Sequence, residues 1–251
     1  MANEVLETIK LIPHEWHRGR ALMLVAHGLP DEIKDRAVEI AQTIGVPYVR
    51  ALALSAYSRS LSDDVRLEVL QAAPLVIDDW LRATLLSSLG GSLSGEQRAE
   101  ALAEARRMSD WAARVSALQG IAWHLPEEAR PIVLQEAVTI AHQIEDEGER
   151  AESLAALLDD LVNDQRLQVL QEARQAARTI EDAALRAAVM IDLLPAAAAD
   201  NVRDELLQEM LTIVNSIENV DSRSEVLSQL IAYRKVEDRA RAAGAVLDLW
   251  Q

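Results

Sequence analysis

The residues of this sequence that could do chemistry begin with two histidines three positions apart, His14 and His17. At that spacing two imidazole rings share one face of a helix, an arrangement that can hold a metal ion. The surrounding residues do not complete the H-E-x-x-H pattern of zinc proteases, and no third ligand follows at a defined spacing. We therefore predict no metal site and interpret these two residues, together with His124 and His142, as exposed or helix-capping histidines.

Catalytic and cofactor-binding motifs are equally sparse. The sequence has no cysteine, no glycine-rich phosphate loop and no serine in a G-x-S-x-G turn, and Gly90-Gly91 is predicted to be a turn between helices. Its 41 acidic residues are so numerous that a pair such as Asp159-Asp160 is expected to be solvated or helix-capping rather than a glycosidase pair. The prediction is a non-catalytic protein without a cofactor.

The composition narrows the class of partner. The formal net charge is −16, which argues against a nucleic-acid backbone or an anionic membrane as the main partner, because both need a positive surface. No apolar run approaches the roughly 20 residues that span a bilayer, and the first residues lack a signal-peptide core. We predict a cytoplasmic protein, and the preference for arginine over lysine, with much alanine and leucine, indicates a bacterial source.

One segment recurs along the chain and defines its organisation. Ile144-Glu145-Asp146-x-x-x-Arg150 returns as Ile180-Glu181-Asp182-x-x-x-Arg186 and as Ile217-Glu218-Asn219-x-x-x-Arg223. The arginine of this segment, called the repeat arginine below, occurs at Arg18, Arg50, Arg82, Arg114, Arg150, Arg186 and Arg223. Large apolar residues stand four and seven positions after each copy, so each unit is predicted to begin with an amphipathic helix, helix A.

The start of helix A is also predicted. Four positions before the repeat arginine stand residues of the types that cap helix N-termini: Asp78, Asp110, Asp146, Asp182 and Asn219. We expect each to accept a backbone N–H bond, and each aspartate to pair with its arginine four residues on. His14 and Val46 occupy this position in the first two units and break the pattern.

A second helix, B, carries a Leu-x-x-Ala signature such as Leu70-x-x-Ala73. The period is 32 residues in the first three units and 36 or 37 in the next three, and the added residues fall after the helix-B leucine. Helix B is therefore predicted to be about one turn longer in the second half. We predict a single domain over 1–251, with a capping helix at 1–12, short repeats at 13–45, 46–77 and 78–109, long repeats at 110–145, 146–181 and 182–218, and a terminal repeat at 219–251.

This tandem of helix pairs, with a period in the thirties, resembles the α-solenoid superfamily that includes tetratricopeptide and HEAT-like repeats. The tetratricopeptide consensus is not matched, and the drifting period is closer to HEAT-like arrays. The Ile-Glu-Asp…Arg register also resembles helical repeats of large bacterial signalling proteins, including sensor arms of ATPases, whose nucleotide-binding motifs this chain lacks. The resemblance implies an all-α, right-handed α-solenoid of about seven antiparallel helix hairpins with a leading capping helix.

Aromatic residues are concentrated in the first half of the chain, where stacked repeats would align them in two rows. The first row, at the starts of the A helices, comprises Trp16, Tyr48, Trp80 and Trp111. The second row, at the far ends of these helices, comprises His27, Arg59 and Trp123. These rings either staple each A helix to the preceding B helix or form an exposed stripe that anchors a partner.

We therefore predict a scaffold that binds a protein or peptide, with these seven residues as candidate partner-binding residues. One alternative is a sensor or regulatory array attached to an ATPase or protease. A third hypothesis is an enzyme that uses acidic residues inside the solenoid cleft. The sequence leaves the oligomeric state open.

Overall fold

The computed structural model describes residues 2–197 and 202–231, and within these ranges the regular structure is helical. The helices are α1 Ala2–Lys10, α2 Glu15–Val25, α3 Asp31–Gln42, α4 Pro47–Ser55, α5 Asp63–Ala72, α6 Asp79–Leu89, α7 Gly95–Ala105, α8 Trp111–Ala122, α9 Arg130–Ala141, α10 Glu147–Leu157, α11 Asn163–Thr179, α12 Ala183–Ala197, α13 Val202–Ser216 and α14, described over 220–231. The all-α prediction is confirmed.

The chain divides into two compact units, residues 1–143 and 144–251. In the first unit the A helices α2, α4, α6 and α8 pack successively on one another, and α4 and α8 also pack on the B helices that follow them. In the second unit α10 packs on α11 and α12, and α12 packs on α13. The terminal repeat beyond residue 231 lies outside the described residues, and the single domain over 1–251 stays a prediction.

The apolar positions counted from the repeat arginine form the core of these helices. Four positions after it, Leu22, Leu86 and Leu118 are fully buried. The apolar residue six positions before it is buried as well, with Ile44 and Met108 at 0% exposure. The exceptions are Ile12, which is only partly buried, and Leu227 on α14, which is 37% exposed, whereas its neighbour Val226 is buried.

The repeat arginine has a different partner from the one that its spacing predicts. Its guanidinium donates to the backbone carbonyl of the apolar residue six positions earlier, as in Arg50 Nη1 to Ile44 O at 2.7 Å and Arg150 Nη1 to Ile144 O at 2.7 Å. The same bond is made by Arg18 at 3.2 Å, Arg114 at 2.9 Å and Arg186 at 2.7 Å. The predicted ion pair with the capping aspartate is wrong. The guanidinium instead donates to this carbonyl, which has no helical partner where helix B ends.

Arg82 is the variant of this pattern. Its guanidinium pairs with Asp79 and, at 3.1 Å, with Glu104 on α7, a side chain that is 5% exposed. Glu104 also accepts from Arg107 at 3.1 Å. An ion-pair cluster therefore joins α6 to α7 where the other units use a carbonyl.

The predicted N-caps are confirmed in the described residues. The carboxylates of Asp78, Asp110, Asp146 and Asp182 each accept the backbone N–H three residues on, and Asn219 does the same with its side-chain oxygen. Val46 has no such group and makes no capping bond; Glu15 of the preceding unit instead accepts the N–H groups of Gly45 and Val46, both at 2.9 Å, just before α4.

Asp79 makes a similar connection between neighbouring units. Its Oδ2 accepts the N–H groups of Ser109 at 2.7 Å and Asp110 at 2.8 Å, just before α8. Burial alone would raise the pKa of Asp79, but the bonds from Asp110, Ser109 and Arg82 outweigh it and hold the pKa below its ordinary value. Glu15 and Asp79 thus fix the starts of α4 and α8 from the A helix before each.

A second series of arginines, which the sequence analysis did not single out, lies sixteen positions after repeat arginines, in the first turns of B helices. Three of them donate to the carbonyl of a leucine five residues earlier: Arg66 to Leu61 at 2.6 Å, Arg98 to Leu93 at 3.1 Å and Arg130 to Leu125 at 3.4 Å. The turn between A and B is therefore closed by an arginine, as is the turn between B and A. The constant spacing from the repeat arginine is the signal that would have found it.

The predicted lengthening of helix B is clear in the second unit. α11 has 17 residues and α13 has 15, compared with 12, 10 and 11 in α3, α5 and α7. α9 has 12 residues because its first turn is a separate hydrogen-bonded turn at Pro126, ahead of Pro131, and its added residues extend the other end.

Replacing the Arg50 guanidinium tests the arginine-to-carbonyl bond. Arg50→Met leaves the Ile44 carbonyl without its donor, and we expect the free energy of unfolding to fall by about 1 to 3 kcal/mol. Its exposed pair with Glu68 contributes little to this loss. Urea denaturation followed by circular dichroism measures the change. The control Arg20→Met removes an exposed guanidinium with no hydrogen bond in the described part, and an equal loss there would contradict the assignment.

The Glu15 cap gives stability a specific pH dependence. Hydrogen bonds from the N–H groups of Gly45 and Val46 hold the pKa of Glu15 below its ordinary value of 4.5. A depressed pKa means that the stabilisation is complete above the unfolded-state pKa and is lost as pH falls through the folded one. The stability difference between wild type and Glu15→Gln should therefore be largest near neutral pH and shrink below pH 4.5. Urea titrations across pH measure it, with Glu39→Gln as the exposed control, and a difference independent of pH would refute the cap.

Candidate functional site

The first aromatic row lies where the repeat places it, in the first turns of the A helices of the unit 1–143. Trp16, Tyr48 and Trp80 are each the second residue of their helix, and Trp111 is the first residue of α8. Trp16 is half-buried, whereas Tyr48, Trp80 and Trp111 are 37%, 52% and 38% exposed. Each ring therefore has one face against the protein and another open to solvent.

The structure brings the first two rings of the row together. The ring centroids of Trp16 and Tyr48 are 6.4 Å apart, with the planes tilted by 38°. They form one wall of a groove of about 270 Å³, which is completed by Leu75, Val76, Ile77, Asp78 and Leu81. We call this feature the aromatic groove.

The sequence analysis missed two residues of this groove. Ile77 is 94% exposed and Leu75 is 54% exposed, on either side of the buried Val76. The repeat needs one apolar residue at this point, yet the chain has three in succession, Leu75-Val76-Ile77. That excess was the available signal, because three consecutive side chains cannot all point into the same core.

The other two rings do not line the groove. Trp80 lies on the adjacent turn of α6, and Trp111 packs beneath its own repeat arginine, with the Arg114 guanidinium carbon 4.4 Å from the ring centroid. Arg114 also donates to Met108 O, so Trp111 lies beside the closure between α7 and α8. Trp111 therefore has a clear structural contact, whereas Trp16 and Tyr48 border an open groove.

The second row is only partly brought together. His27 lies in a 3-10 turn at Ala26–Gly28 and Arg59 in another at Ser58–Ser60, and both line a cleft of about 440 Å³. Trp123 is the C-cap of α8, 57% exposed, and is not among the residues of that cleft. We call this feature the turn cleft, because it lies at the turns from A to B helices.

The turn cleft is lined by cations and hydroxyl groups. Lys34 joins His27 and Arg59, and its ammonium is 2.7 Å from Asp31. The hydroxyl-bearing residues of the lining are Ser55, Tyr57, Ser58, Ser60, Thr84 and Ser88. Tyr57 Oη donates to Leu22 O at 2.6 Å, and burial raises the pKa of Tyr57 to about 12.

The electrostatic environment of the cleft is positive for a protein of net charge −16. Burial, followed by Arg98, Arg130 and Arg59, lowers the pKa of the neighbouring His124. The pKa of Asp31 is also lowered, by its hydrogen bond to Lys34 and the charges of Lys34 and Arg59. In both shifts the contribution of the arginines and of Lys34 is that of positive charge, which disfavours a protonated imidazole and favours an ionised carboxylate.

The two histidines at the start of α2 lie close together, with ring centroids 4.6 Å apart. His14 occupies the N-cap position, although its side chain makes no capping bond. Within 2–197 and 202–231, no three histidine, aspartate or glutamate side chains gather in a geometry that could hold a metal ion. Across the same ranges, no helix has the length and apolar character needed to cross a membrane.

Comparison with known proteins adds no family to this description: no family model matches the chain, and no curated protein matches its sequence.

Proposed function

We propose that this chain is a non-catalytic binding module that recognises a protein or peptide through the aromatic groove. The observation that carries the proposal is the contiguous exposed apolar surface of Tyr48, Leu75 and Ile77 beside Trp16. Exposed apolar patches on monomeric domains mark interaction sites, and tryptophan and tyrosine are enriched where binding energy concentrates. Packing of one helix against another does not by itself require an open groove beside the ring.

The partner that fits this groove is an apolar side chain flanked by basic residues. A volume of about 270 Å³ accommodates one or two large side chains, not a folded domain. Asp78 lines the groove and its carboxylate is exposed. The net charge of −16 attracts a cationic segment and steers its approach.

The scaffold that presents the groove belongs to the same proposal. We propose a right-handed α-solenoid of about seven antiparallel helix hairpins, of the HEAT-like kind, in a bacterial and cytoplasmic protein. The regular alternation of A and B helices, with an arginine-to-carbonyl bond at most of the junctions between them, supports the repeat. The low lysine content supports a bacterial source, and the absence of cysteine from the sequence supports a cytoplasmic location.

A selection from a displayed peptide library tests the groove. Peptides enriched on the wild-type chain should carry an aliphatic or aromatic residue next to lysine or arginine. Ile77→Ser should weaken them about tenfold or more, because it removes an apolar contact whose side chain is free in the unbound protein. At 94% exposure this substitution leaves the fold intact, which circular dichroism verifies.

Leu24→Ser is the matched control, since Leu24 is 74% exposed on α2 and does not line the groove. The proposal expects its Kd to equal that of the wild type, and Tyr48→Ala to lose binding like Ile77→Ser. Peptides that bind all of these variants equally, or a library without enrichment on the wild type, would reject the aromatic groove as a binding surface.

A further inference from the structure

The turn cleft and the aromatic groove lie at opposite ends of the A helices. The groove is lined by residues at the starts of α2, α4 and α6, whereas the cleft is lined by residues at the ends of these helices and by Lys34 of α3. Their residue sets do not overlap. The cleft therefore requires an account of its own.

We propose that the turn cleft binds the phosphate group of a small phosphorylated molecule, with Arg59, Lys34 and His27 as the contact residues. The assignment starts from Arg59, an exposed side chain with no hydrogen bond or ion pair in the described part of the chain. Most arginines of this unit donate hydrogen bonds to carbonyls or carboxylates, as Arg50 and Arg66 do. An uncommitted guanidinium at a cleft has a fork of donors that matches two oxygens of a phosphate.

The groups around Arg59 complete a phosphate site. Ser58 and Ser60 flank it in the same 3-10 turn, and their side chains make no hydrogen bond in the described structure, so both hydroxyls can donate to phosphate oxygens. Lys34 supplies a second fixed positive charge. The imidazole of His27 can donate a ring N–H to a further phosphate oxygen.

The negative charge that competes for these cations is limited. Asp31 is the carboxylate whose pKa responds to Arg59, and it is already held by Lys34 at 2.7 Å. No carboxylate is among the residues of the cleft lining. An anion that enters the cleft is therefore attracted by Arg59 and Lys34, in an otherwise acidic protein.

The remaining wall of the cleft indicates a ligand with an apolar portion. Met23, Ala26 and Ala56 form this part of the lining. The volume of about 440 Å³ lies within the range of small-molecule sites and exceeds what one phosphate ion fills. A phosphate monoester with a compact apolar group satisfies both halves of the cleft.

Titration of the full chain with phenyl phosphate, followed by calorimetry and by backbone amide shifts, tests the site. We expect saturable binding, with the amides of 58–60 among those that shift. Arg59→Gln should raise Kd about tenfold or more, because it removes a charge-assisted pair of hydrogen bonds. Inorganic phosphate should bind the same residues more weakly than phenyl phosphate, since it leaves the apolar wall unfilled.

Lys10→Gln is the control for general electrostatics, because Lys10 is an exposed cation at the end of α1, outside the cleft lining. Its Kd should stay within about twofold of the wild type, since a screened distant charge contributes little. Equal weakening by Lys10→Gln and Arg59→Gln would overturn the proposal in favour of diffuse attraction. So would an absence of saturable shifts at 58–60. Ile77→Ser should bind phenyl phosphate with the Kd of the wild type. The phosphate site is therefore tested independently of peptide binding at the aromatic groove.

Discussion

The structure depends on the hydrogen bond from the repeat arginine to a carbonyl six residues earlier. That carbonyl belongs to a buried apolar residue at the junction from B to A, such as Ile44, where the chain leaves helix B and its backbone groups lose their helical partners. A long side chain from the next helix reaches back to satisfy it. The bond ties the first turn of helix A to the end of the preceding helix B. Trp16 and Tyr48 lie in two such first turns, so the side of the aromatic groove that they form is anchored by the bonds of Arg18 and Arg50.

Carboxylates make a second, sparser set of connections between neighbouring repeats. Glu15 and Asp79 each accept two backbone N–H groups at the junction with the repeat that follows, one on either side of it. In arrays of this kind each repeat contacts its neighbours, so interface bonds contribute to stability alongside the fold of each repeat. A cap supplied by the preceding repeat cannot form in an isolated hairpin. Its stabilisation is available only to the assembled unit, which increases cooperativity.

Helix positions, N-caps and the apolar core could be predicted from the sequence because each follows from local spacing. A period near 3.6 places Leu22 and Leu86 on a buried face, and Asp78 or Asp110 caps the helix it precedes, whatever lies elsewhere. The partner of the repeat arginine could not be predicted, since the spacing to the aspartate was equally compatible with an ion pair. Ile77 and the turn cleft were missed for a related reason: both depend on how adjacent repeats leave space between them, which no single repeat encodes.

The connections made by Glu15 and Asp79 alternate along the first unit. Between them, the equivalent position in α4 is Pro47, which has neither a carboxylate nor an N–H to contribute. A carboxylate therefore connects α2 to α4 and α6 to α8, whereas α4 has no carboxylate at this position to connect it to α6. The aromatic groove crosses that junction, from Trp16 and Tyr48 to Ile77 and Leu81. The groove is thus lined from both sides of the A-helix junction that lacks this carboxylate connection, so its shape depends on how α4 and α6 pack against each other.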